Sequence, residues 1–346
     1  MNENTLCTLS IDDLRALAAK ALSASQIAED NARCVADALV AADADGIASH
    51  GVSRIPFYAD QALSGKVDGY AVPSCASPRN AVVAVDAGNG FAYPAIDVAL
   101  ARASEKIEEN GCVFALIANS HHAGAIGHHV ERLADQGLMA LAFSNSPAGI
   151  APWGGSVGTF GTNPVAFACP RRHPPALVID LSLARVARGK VMLAAKRKES
   201  IPADWALDAK GQPTTDPVIA LEEGTMAPIG GAKGAALAMI VELITAALAS
   251  SNLGFEAGSF FTPDGPPARI AQSFVLVDPK IAPGGDFIDR VECLSRAMLA
   301  QPGVRLPGAT RHLAREKSRK NGISIPTALH ADLSARAAAR QERRSK

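Results

Sequence analysis

Residues 82–118, VVAVDAGNGFAYPAIDVALARASEKIEENGCVFALIA, decide the fold class of this chain. Val82 to Asp86 and Cys112 to Ala118 are short apolar runs of the kind that form buried strands. Between them, Pro94 to Asn110 repeats apolar residues at helical spacing, and Gly111 follows as a stop signal. A strand, a helix and a second strand in this order predict an α/β protein.

The alternation of strands and helices continues on both sides of this unit. Further strands are predicted at 138–144, 164–169, 177–181 and 270–277, and further helices at 11–22 after a Ser10 cap, from a Ser25 cap to 42, and at 130–136, 232–250 and 287–299. The helix at 232–250 is apolar almost all round, which predicts that it is buried. No Gly-x-Gly-x-x-Gly follows a strand, so the fingerprint of the usual dinucleotide-binding fold is missing.

Composition and charge narrow the function classes. The chain has 346 residues and a formal net charge of zero, so its overall field favours neither nucleic acid nor an anionic membrane. Its six cysteines form no Cys-x-x-Cys pair, which argues against a zinc site or a disulfide framework and fits a reducing compartment. We find no secretory leader pattern and no apolar run of bilayer length, so we expect a cytoplasmic protein without nucleic-acid or membrane partners.

The stretch Asp45-Gly46-Ile47-Ala48-Ser49-His50-Gly51-Val52-Ser53-Arg54 combines a proton carrier with an anion binder. His50 titrates near neutral pH and can give or accept a proton, and Ser49 places a hydroxyl beside it. The guanidinium of Arg54 is a fork of donors that fits a carboxylate. This pattern favours an enzyme that holds a small carboxylic acid and protonates it. The alternative is a surface turn with a capping serine.

A second cluster, Ser120-His121-His122-Ala123-Gly124-Ala125-Ile126-Gly127-His128-His129, follows a strand and precedes a helix. Backbone N–H groups in that context can hold a phosphate. A metal site is a less favoured alternative, because adjacent histidines point in different directions and no acidic ligand accompanies them. A plain turn is the third possibility.

Polar groups also collect in a long loop and at a strand end. The loop from Ser144 to Pro164 offers Thr162 and Asn163 to a ligand, or it is an ordered crossover with Trp153 as a plug. Asp180-Leu181-Ser182 can hold a ribose or a nicotinamide amide, and Arg188-Gly189-Lys190 a phosphate or carboxylate. The alternative for these two segments is a strand end followed by solvated charges.

The last segments of the chain are basic. The turn Leu306-Pro307-Gly308-Ala309-Thr310-Arg311-His312 can clamp a 2′-phosphate, or it belongs to the tail. Residues 313–346 carry nine Lys or Arg against three Asp or Glu. We expect this tail to be a helical arm on a partner subunit or to be frayed, and we favour a partly docked arm.

Taken in order, these segments resemble the malate/L-lactate dehydrogenase-like oxidoreductases over about residues 10–312. The motifs that carry the resemblance are the 45–54 stretch, the turn with His122, Pro152-Trp153-Gly154-Gly155, Gly161-Thr162-Asn163-Pro164, Trp205 to Pro217 and Gly231-Ala232-Lys233-Gly234. Within the family, residues 178–189, 258–261 and 265–270 look most like the Δ1-piperideine-2-carboxylate/Δ1-pyrroline-2-carboxylate reductases, which are cyclic ketimine reductases.

The resemblance implies an α/β fold unlike the Rossmann fold, with a mixed sheet flanked by helices. It implies a nicotinamide cofactor, NADPH with NADH possible, no metal, and a homodimer whose active site lies near the domain interface. The implied domains are a discontinuous helical substrate and dimer domain, 1–75 with 278–346, and an NADP-binding α/β domain, 76–277.

The resemblance also implies roles for single residues. His50 would be the proton donor, Ser49 its relay partner and Arg54 the carboxylate anchor. The substrate would also contact Thr162, Arg188 and Gly189. The cofactor would be held by His122, Ala123, Gly124, Ala125, Ile126, Asp180, Leu181, Ser182, Gly230, Pro307, Gly308, Thr310, Arg311 and His312.

We therefore expect an NADPH-dependent reductase of the C=N bond of cyclic imino acids, which forms L-proline from Δ1-pyrroline-2-carboxylate and L-pipecolate from Δ1-piperideine-2-carboxylate. The alternative is a 2-hydroxy acid dehydrogenase acting on malate, lactate or ureidoglycolate, because His50 and Arg54 would serve a C=O bond equally well. A catalytically silent paralogue is disfavoured because both residues and Ser49 are retained. The sequence does not decide ring size, NADP against NAD, or the role of Lys190, where some relatives carry a smaller or acidic residue.

Overall fold

The structure, a computed structural model, describes residues 5–281 and 283–344. Its strands in chain order are β1 Leu6–Leu9, β2 Ser74–Arg79, β3 Val82–Asp86, β4 Cys112–Ser120, β5 Met139–Ser144, β6 Val165–Cys169, β7 Leu177–Leu181, β8 Ala206–Leu207, β9 Pro213–Thr214, β10 Thr225–Met226, β11 Ile270–Val277 and β12 Ile323–Pro326. Its α-helices are α1 Ile11–Ser23, α2 Glu29–Ala44, α3 Ile55–Leu63, α4 Ala92–Asn110, α5 Gly127–Ala134, α6 Arg188–Arg197, α7 Pro217–Glu222, α8 Ala232–Glu242, α9 Phe287–Leu299, α10 Ala309–Asn321 and α11 Thr327–Arg344.

A seven-stranded sheet in the order β2-β3-β4-β11-β5-β6-β7 forms the centre of the molecule. Only β3 and β4 pair in parallel, in the unit predicted from residues 82–118, and the other neighbours are antiparallel. Helices α4 and α5 bury their apolar faces against this sheet. Gly111 ends α4 in the left-handed conformation, with φ 67°. The predicted mixed sheet flanked by helices is confirmed.

The strand directions gather several loops at one edge of the sheet. β4, β5 and β7 all run towards this edge, whereas β6 and β11 start from it. The segments after residues 120, 144 and 181 therefore leave the sheet beside the segments that enter it before 165 and 270. Segments that are far apart in the sequence meet here because the pairing register leaves them no other position.

The helix predicted at 232–250 differs from the prediction in shape and burial. It is α8 followed by a π-helical turn, Leu243–Ala247. Ala238 and Val241 are buried, but Leu237 and Ile240 are 47% and 50% exposed. The prediction of a buried helix was wrong for the single chain, because one chain covers only one side of this apolar helix.

A second core is built by α1, α2, α3 and α11, next to the β1–β12 pair. Ser10 caps α1 as predicted, since its hydroxyl accepts the N–H of Asp13 at 3.0 Å. Ser25 does not cap α2, which begins at Glu29; its hydroxyl donates to the Ala21 carbonyl at the end of α1 instead. The prediction of a Ser25 cap was therefore wrong.

The basic tail packs on its own chain. It forms the end of α10, then β12 and α11, and Arg336 pairs with Asp60 of α3 at 2.8 Å. The alternative of a frayed tail is wrong for residues 313–344, an arm on a partner subunit stays a prediction, and residues 345 and 346 lie outside the described range. Among the described residues, no helix is long and apolar enough to cross a membrane. The cytoplasmic location and the domain division 1–75 with 278–346 and 76–277 stay predictions.

Candidate active site

The 45–54 stretch is a pair of 3₁₀ turns, Ala48–His50 and Val52–Arg54, between the end of α2 and the start of α3. The carboxylate of Asp43 accepts the N–H of Val52 at 2.7 Å and fixes the second turn. A Cβ on Gly51 would lie 2.1 Å from that carboxyl group, so only glycine fits between the turns. Burial raises the pKa of Asp43 to about 6.

Ser49, His50 and Arg54 meet as the sequence predicted. The hydroxyl of Ser49 lies 2.9 Å from Nδ1 of His50, which leaves Nε2 of that ring for a ligand. Nε of Arg54 donates to the carbonyl of Ser49 at 2.7 Å, and its guanidinium carbon lies 4.8 Å from the ring centre of Phe261. The terminal nitrogens of Arg54 make no hydrogen bond with the described residues, so they can bind a carboxylate.

His122, just after β4, connects the sheet to Ser49, His50 and Arg54. Its ring stacks on His50 with centroids 5.4 Å apart, and Phe260 packs beside it at 5.0 Å. His122 follows β4, and Phe260 precedes β11, which pairs with β4. Nζ of Lys66 donates to the carbonyls of Ser259, Thr262 and Asp264, and so holds the loop of Phe260 and Phe261 in place.

Burial and charge keep the imidazoles of this cleft neutral. Burial, with Arg54 nearby, lowers the pKa of His50 to about 4. The same causes, burial first, lower the pKa of His122 well below its usual value. At neutral pH the free protein therefore presents His50 as a base, and an anionic ligand beside Arg54 would favour its protonated form.

Several of the predicted cofactor segments lie together at the end of β7, on the sheet edge where β4 and β5 also end. A carboxylate oxygen of Asp180, at the end of β7, accepts the N–H of Gly127 at the start of α5 at 3.0 Å. Nε2 of His312 lies 3.2 Å from the carbonyl oxygen of Ala176, the residue before β7. Ala123, Gly124 and Ala125 form the turn before α5, with Gly124 at φ 66° and Ile126 buried in the core.

These residues fit a nicotinamide dinucleotide in their donor chemistry. The backbone N–H groups of 123–126 donate to no described residue. Nη1 of Arg311 is buried beside Gly127 without a hydrogen-bond partner among the described residues. Unpaired N–H groups before a helix, together with a cation, suit phosphate oxygens.

The 306–312 segment is not a free basic turn. Gly308 caps α10, so Thr310, Arg311 and His312 lie in the first turn of that helix, while Pro307 precedes it. Arg311 is 8% exposed and pairs with Asp45 and Asp180, each at 3.2 Å. Two carboxylates hold part of the Arg311 guanidinium, and the role of this segment as a 2′-phosphate clamp stays a prediction.

An adjacent arginine completes this buried ionic network. Arg315 binds Asp45 and Glu131 through hydrogen bonds of 2.6 to 2.9 Å. Asp45 and Glu131 have side chains only 2% and 6% exposed. The network therefore joins the end of α2, α5, the end of β7 and α10.

Thr162 belongs to a polar group at the same sheet edge. Its N–H donates to the Ser146 hydroxyl at 3.0 Å, and its carbonyl accepts from Ser182 at 3.3 Å. Leu181, beside Ser182, is 39% exposed. Behind this group, the buried carboxylate of Glu242 accepts from the Asn163 amide at 2.9 Å and from the Gly161 and Gly254 N–H groups.

Arg188, Gly189 and Gly230 belong to the part of the chain that builds a third core, whose buried residues include Ile150, Val191 and Val241. Arg188 begins α6 and donates to the Leu221 carbonyl at 3.0 Å, and burial lowers its pKa. Within the described residues, no hydrogen bond or ring contact joins these three residues to His50. Trp153 is 68% exposed, so the alternative of a plug in the crossover loop was wrong.

The histidine cluster is used for packing and for hydrogen bonds. Nε2 of His121 lies 3.1 Å from the Gln61 amide oxygen, and Nε2 of His129 lies 3.2 Å from the Ala123 carbonyl. Burial lowers the pKa of His121 to about 3 and of His129 to about 4. Among the described residues, no three metal-ligating side chains are grouped for a metal ion.

Several site residues were missed at the level of the sequence. Tyr58 is fully buried, and its hydroxyl lies 2.6 Å from Nδ1 of His122. His50, Arg54 and Tyr58 are spaced four residues apart, and this spacing was an available signal. Phe260 and Phe261 lay in a segment that was recognised without being given a role. Glu242, a single acid in an apolar helix, was likewise a visible signal.

Arg54→Met should raise the pKa of His50 above its wild-type value of about 4, because removing a nearby cation favours the imidazolium form. The pKa stays below its usual value, since burial remains. Nuclear magnetic resonance titration of His50, assigned with a His50→Gln variant, measures it. Arg54→Lys is the control, because it keeps the charge and should leave the pKa low. An unchanged pKa in Arg54→Met would show that the cation does not act on His50.

Comparisons with known proteins agree with the resemblance seen in the sequence. The malate/L-lactate dehydrogenase family matches residues 9–334. The chain is 48% identical to (2R)-3-sulfolactate dehydrogenase (NADP(+)) of Chromohalobacter salexigens, over 96% of this chain and 98% of that protein. It is 36% identical to Δ1-pyrroline-2-carboxylate reductase 2 of Burkholderia multivorans, over 94% of this chain and 96% of the relative.

A solved structure matches over nearly the whole length. The crystal structure of Δ1-piperideine-2-carboxylate reductase from Pseudomonas syringae pv. tomato has a TM-score of 0.90 and 36% identity, and covers 95% of this chain and 99% of that one. The predicted family, its mixed-sheet fold and an oxidoreductase activity are confirmed. With His50, Ser49 and Arg54 assembled at one edge of its sheet, this chain belongs to the malate/L-lactate dehydrogenase family.

Proposed function

We propose that this chain is an NADP(H)-dependent oxidoreductase acting at C2 of small 2-hydroxy and 2-oxo acids, with (2R)-3-sulfolactate and its 2-oxo product as the preferred pair. The observation that carries the proposal is His50, paired with Ser49, beside the two terminal nitrogens of Arg54, which make no hydrogen bond with the described residues. The 48% identity to a sulfolactate dehydrogenase over nearly the whole chain supports the substrate, and its stated cofactor supports NADP.

In this proposal, Arg54 binds the substrate and His50 transfers the proton. Arg54 would hold the C1 carboxylate, which orients C2. On oxidation, Nε2 of neutral His50 would take the proton of the C2 hydroxyl; on reduction, it would return that proton to the oxygen. Ser49 would keep the ring oriented through Nδ1. The bound NADP(H), held by the segments at 122–126, 180–182 and 307–312 and by Gly230, would accept or supply the hydride.

A sulfonate gives this substrate a second anion, which needs a second cation. Arg188 and Lys190 flank Gly189 at the start of α6, where helix N–H groups add to their charge. We propose that Lys190 recognises the sulfonate, while Thr162, Arg188 and Gly189 contact the substrate. An added cation suits a doubly charged acid better than an imino acid with one carboxylate.

Cyclic imino acids are the second candidate substrates. The 36% identity to a Δ1-pyrroline-2-carboxylate reductase and the fold shared with a Δ1-piperideine-2-carboxylate reductase support them. In this case, Arg54 would hold the ring carboxylate, and His50 would protonate the ring nitrogen that receives hydride at C2. The products would be L-proline and L-pipecolate.

We also propose a homodimer built on the exposed face of α8. Leu237, Ile240 and Leu243 lie three residues apart and are each about half exposed. A helix that is apolar all round is normally covered on all sides. A second copy related by a twofold axis is the commonest way to cover such a face.

A substrate panel decides between the two candidates. With NADP⁺ or NADPH at neutral pH, we expect kcat/KM for sulfolactate and its 2-oxo acid to exceed that for both cyclic imines by at least about 100-fold, because a hydrogen bond between charged groups is worth roughly 2–3 kcal/mol. Lactate, pyruvate and oxaloacetate complete the panel. Lys190→Ala should lower kcat/KM for sulfolactate about 10- to 100-fold, and lactate, which lacks the sulfonate, is the matched control.

The outcomes of the panel are distinct. Faster turnover of the cyclic imines would overturn the sulfolactate assignment in favour of the second candidate. An equal loss for sulfolactate and lactate in Lys190→Ala would mean that Lys190 does not read the sulfonate. No turnover of any acid would reject both functions.

Sedimentation velocity tests the dimer. We expect twice the mass of one chain for the wild type and one chain for Leu243→Glu, because a charge placed in the covered face is buried without a partner. Leu313→Glu, at a residue of α10 that is 66% exposed, is the control and should stay dimeric. A dimeric Leu243→Glu variant would place the interface elsewhere.

A further inference from the structure

The ring of His122 is fixed on three sides. Nδ1 lies 2.6 Å from the hydroxyl of Tyr58. His50 stacks on one face and Phe260 packs at 5.0 Å. Nε2 makes no hydrogen bond with the described residues, and it is not among their buried unsatisfied atoms. Nδ1 of His122 is therefore hydrogen-bonded to the protein, and Nε2 is available to a ligand.

The two tyrosine hydroxyls form a chain that ends on this imidazole. The hydroxyl of Tyr58 lies 3.3 Å from that of Tyr93, and both residues are buried. Burial raises the pKa of Tyr58 to about 12 and that of Tyr93 well above its usual value, so both keep their protons at neutral pH. Each hydroxyl therefore has one hydrogen to donate.

The donor in each of these two hydrogen bonds follows from the requirement that both hydroxyl hydrogens have an acceptor. The Tyr93 hydroxyl has Tyr58 as its partner among the described residues. If Tyr58 donated to Tyr93, the Tyr93 hydrogen would be buried without an acceptor there, which is costly. If Tyr93 donates to Tyr58 and Tyr58 donates to Nδ1 of His122, every hydrogen has an acceptor. A neutral imidazole that accepts at Nδ1 carries its proton on Nε2.

We propose that Tyr58, supported by Tyr93, is a positioning residue that holds His122 as the Nε2–H tautomer, so that His122 donates a hydrogen bond to the acid bound beside His50. His122 would then contact the substrate in addition to the cofactor role that the family resemblance gives it. The donation to the acid rests on the proposed function, whereas the tautomer does not. A donor fixed in advance towards a developing negative charge loses no energy to reorientation during the reaction.

Tyr58→Phe isolates this hydrogen bond, because the ring contacts of Tyr58 with Phe91 and His121 remain possible. Tyr93→Phe removes only the supporting hydroxyl. Tyr70→Phe, at a residue that is 63% exposed, is the matched surface control. His122→Phe keeps a ring and removes the donor itself.

Long-range nitrogen–proton correlation spectra, which report histidine tautomers, give a readout that does not need substrate. We expect His122 to be the Nε2–H tautomer in the wild type and in Tyr70→Phe, and a mixture of tautomers in Tyr58→Phe. We expect kcat/KM for the best acid of the panel to fall about 10- to 100-fold in Tyr58→Phe and less in Tyr93→Phe. The NADPH dissociation constant should stay within about twofold in both variants.

Adding Tyr58→Phe to His122→Phe should cost little more than His122→Phe alone, because the two residues act as one unit. Full additivity of the two losses would overturn the proposal, and so would a wild-type tautomer or wild-type kcat/KM in Tyr58→Phe. If the wild type turns over no acid of the panel, donation to the acid is rejected together with the proposed function. The spectra alone then decide whether Tyr58 sets the tautomer.

Discussion

The buried ionic network of Asp45, Glu131, Asp180, Arg311 and Arg315 is the interaction on which the rest of the site depends. Asp45 directly follows α2, where the chain enters the turns with His50. Asp180 ends β7, and Glu131 lies in α5. Removing one partner of such a pair leaves a buried charge uncompensated, at a cost of about 3–5 kcal/mol. The network thus fixes the helical part of the chain against the cofactor edge of the sheet.

The site forms where the sheet meets the helical core. The sheet delivers His122 and the Phe260 loop to one edge through the pairing of β4 with β11. The helices deliver His50 and Arg54 through turns fixed by Asp43 and Gly51. The stacked imidazoles of His50 and His122 join the two. On the proposed function, an acid bound there would lie between Arg54 from the helices and His122 from the sheet.

Local patterns in the sequence predicted much of this arrangement. β7 and β11 have the predicted bounds, and Gly111 ends α4 where expected, because alternation, helical spacing and a C-terminal glycine act over a few residues. Ser49, His50 and Arg54 could be grouped because they are neighbours in the chain. Local patterns suggested phosphate or ribose contacts at 120–129, 180–182 and 306–312, and the resemblance to a family joined them into one cofactor site, which stays a prediction.

The contacts that the sequence did not reveal span long separations. The Tyr58–His122 hydrogen bond joins residues 64 positions apart, and Arg315 reaches Asp45 across 270 positions. Arg311 looked like a free cation because its carboxylate partners are remote in the chain. The exposure of one face of α8 was not predicted, because an apolar pattern does not show whether the same chain or another covers the helix.

Turnover of His50→Ala, measured beside its affinity for NADPH, tests the central claim most directly. If His50 transfers the proton, kcat should fall by about 10²- to 10⁴-fold while the NADPH dissociation constant stays within about twofold of wild type. A near-normal kcat in this variant would contradict the account and remove His50 from the reaction.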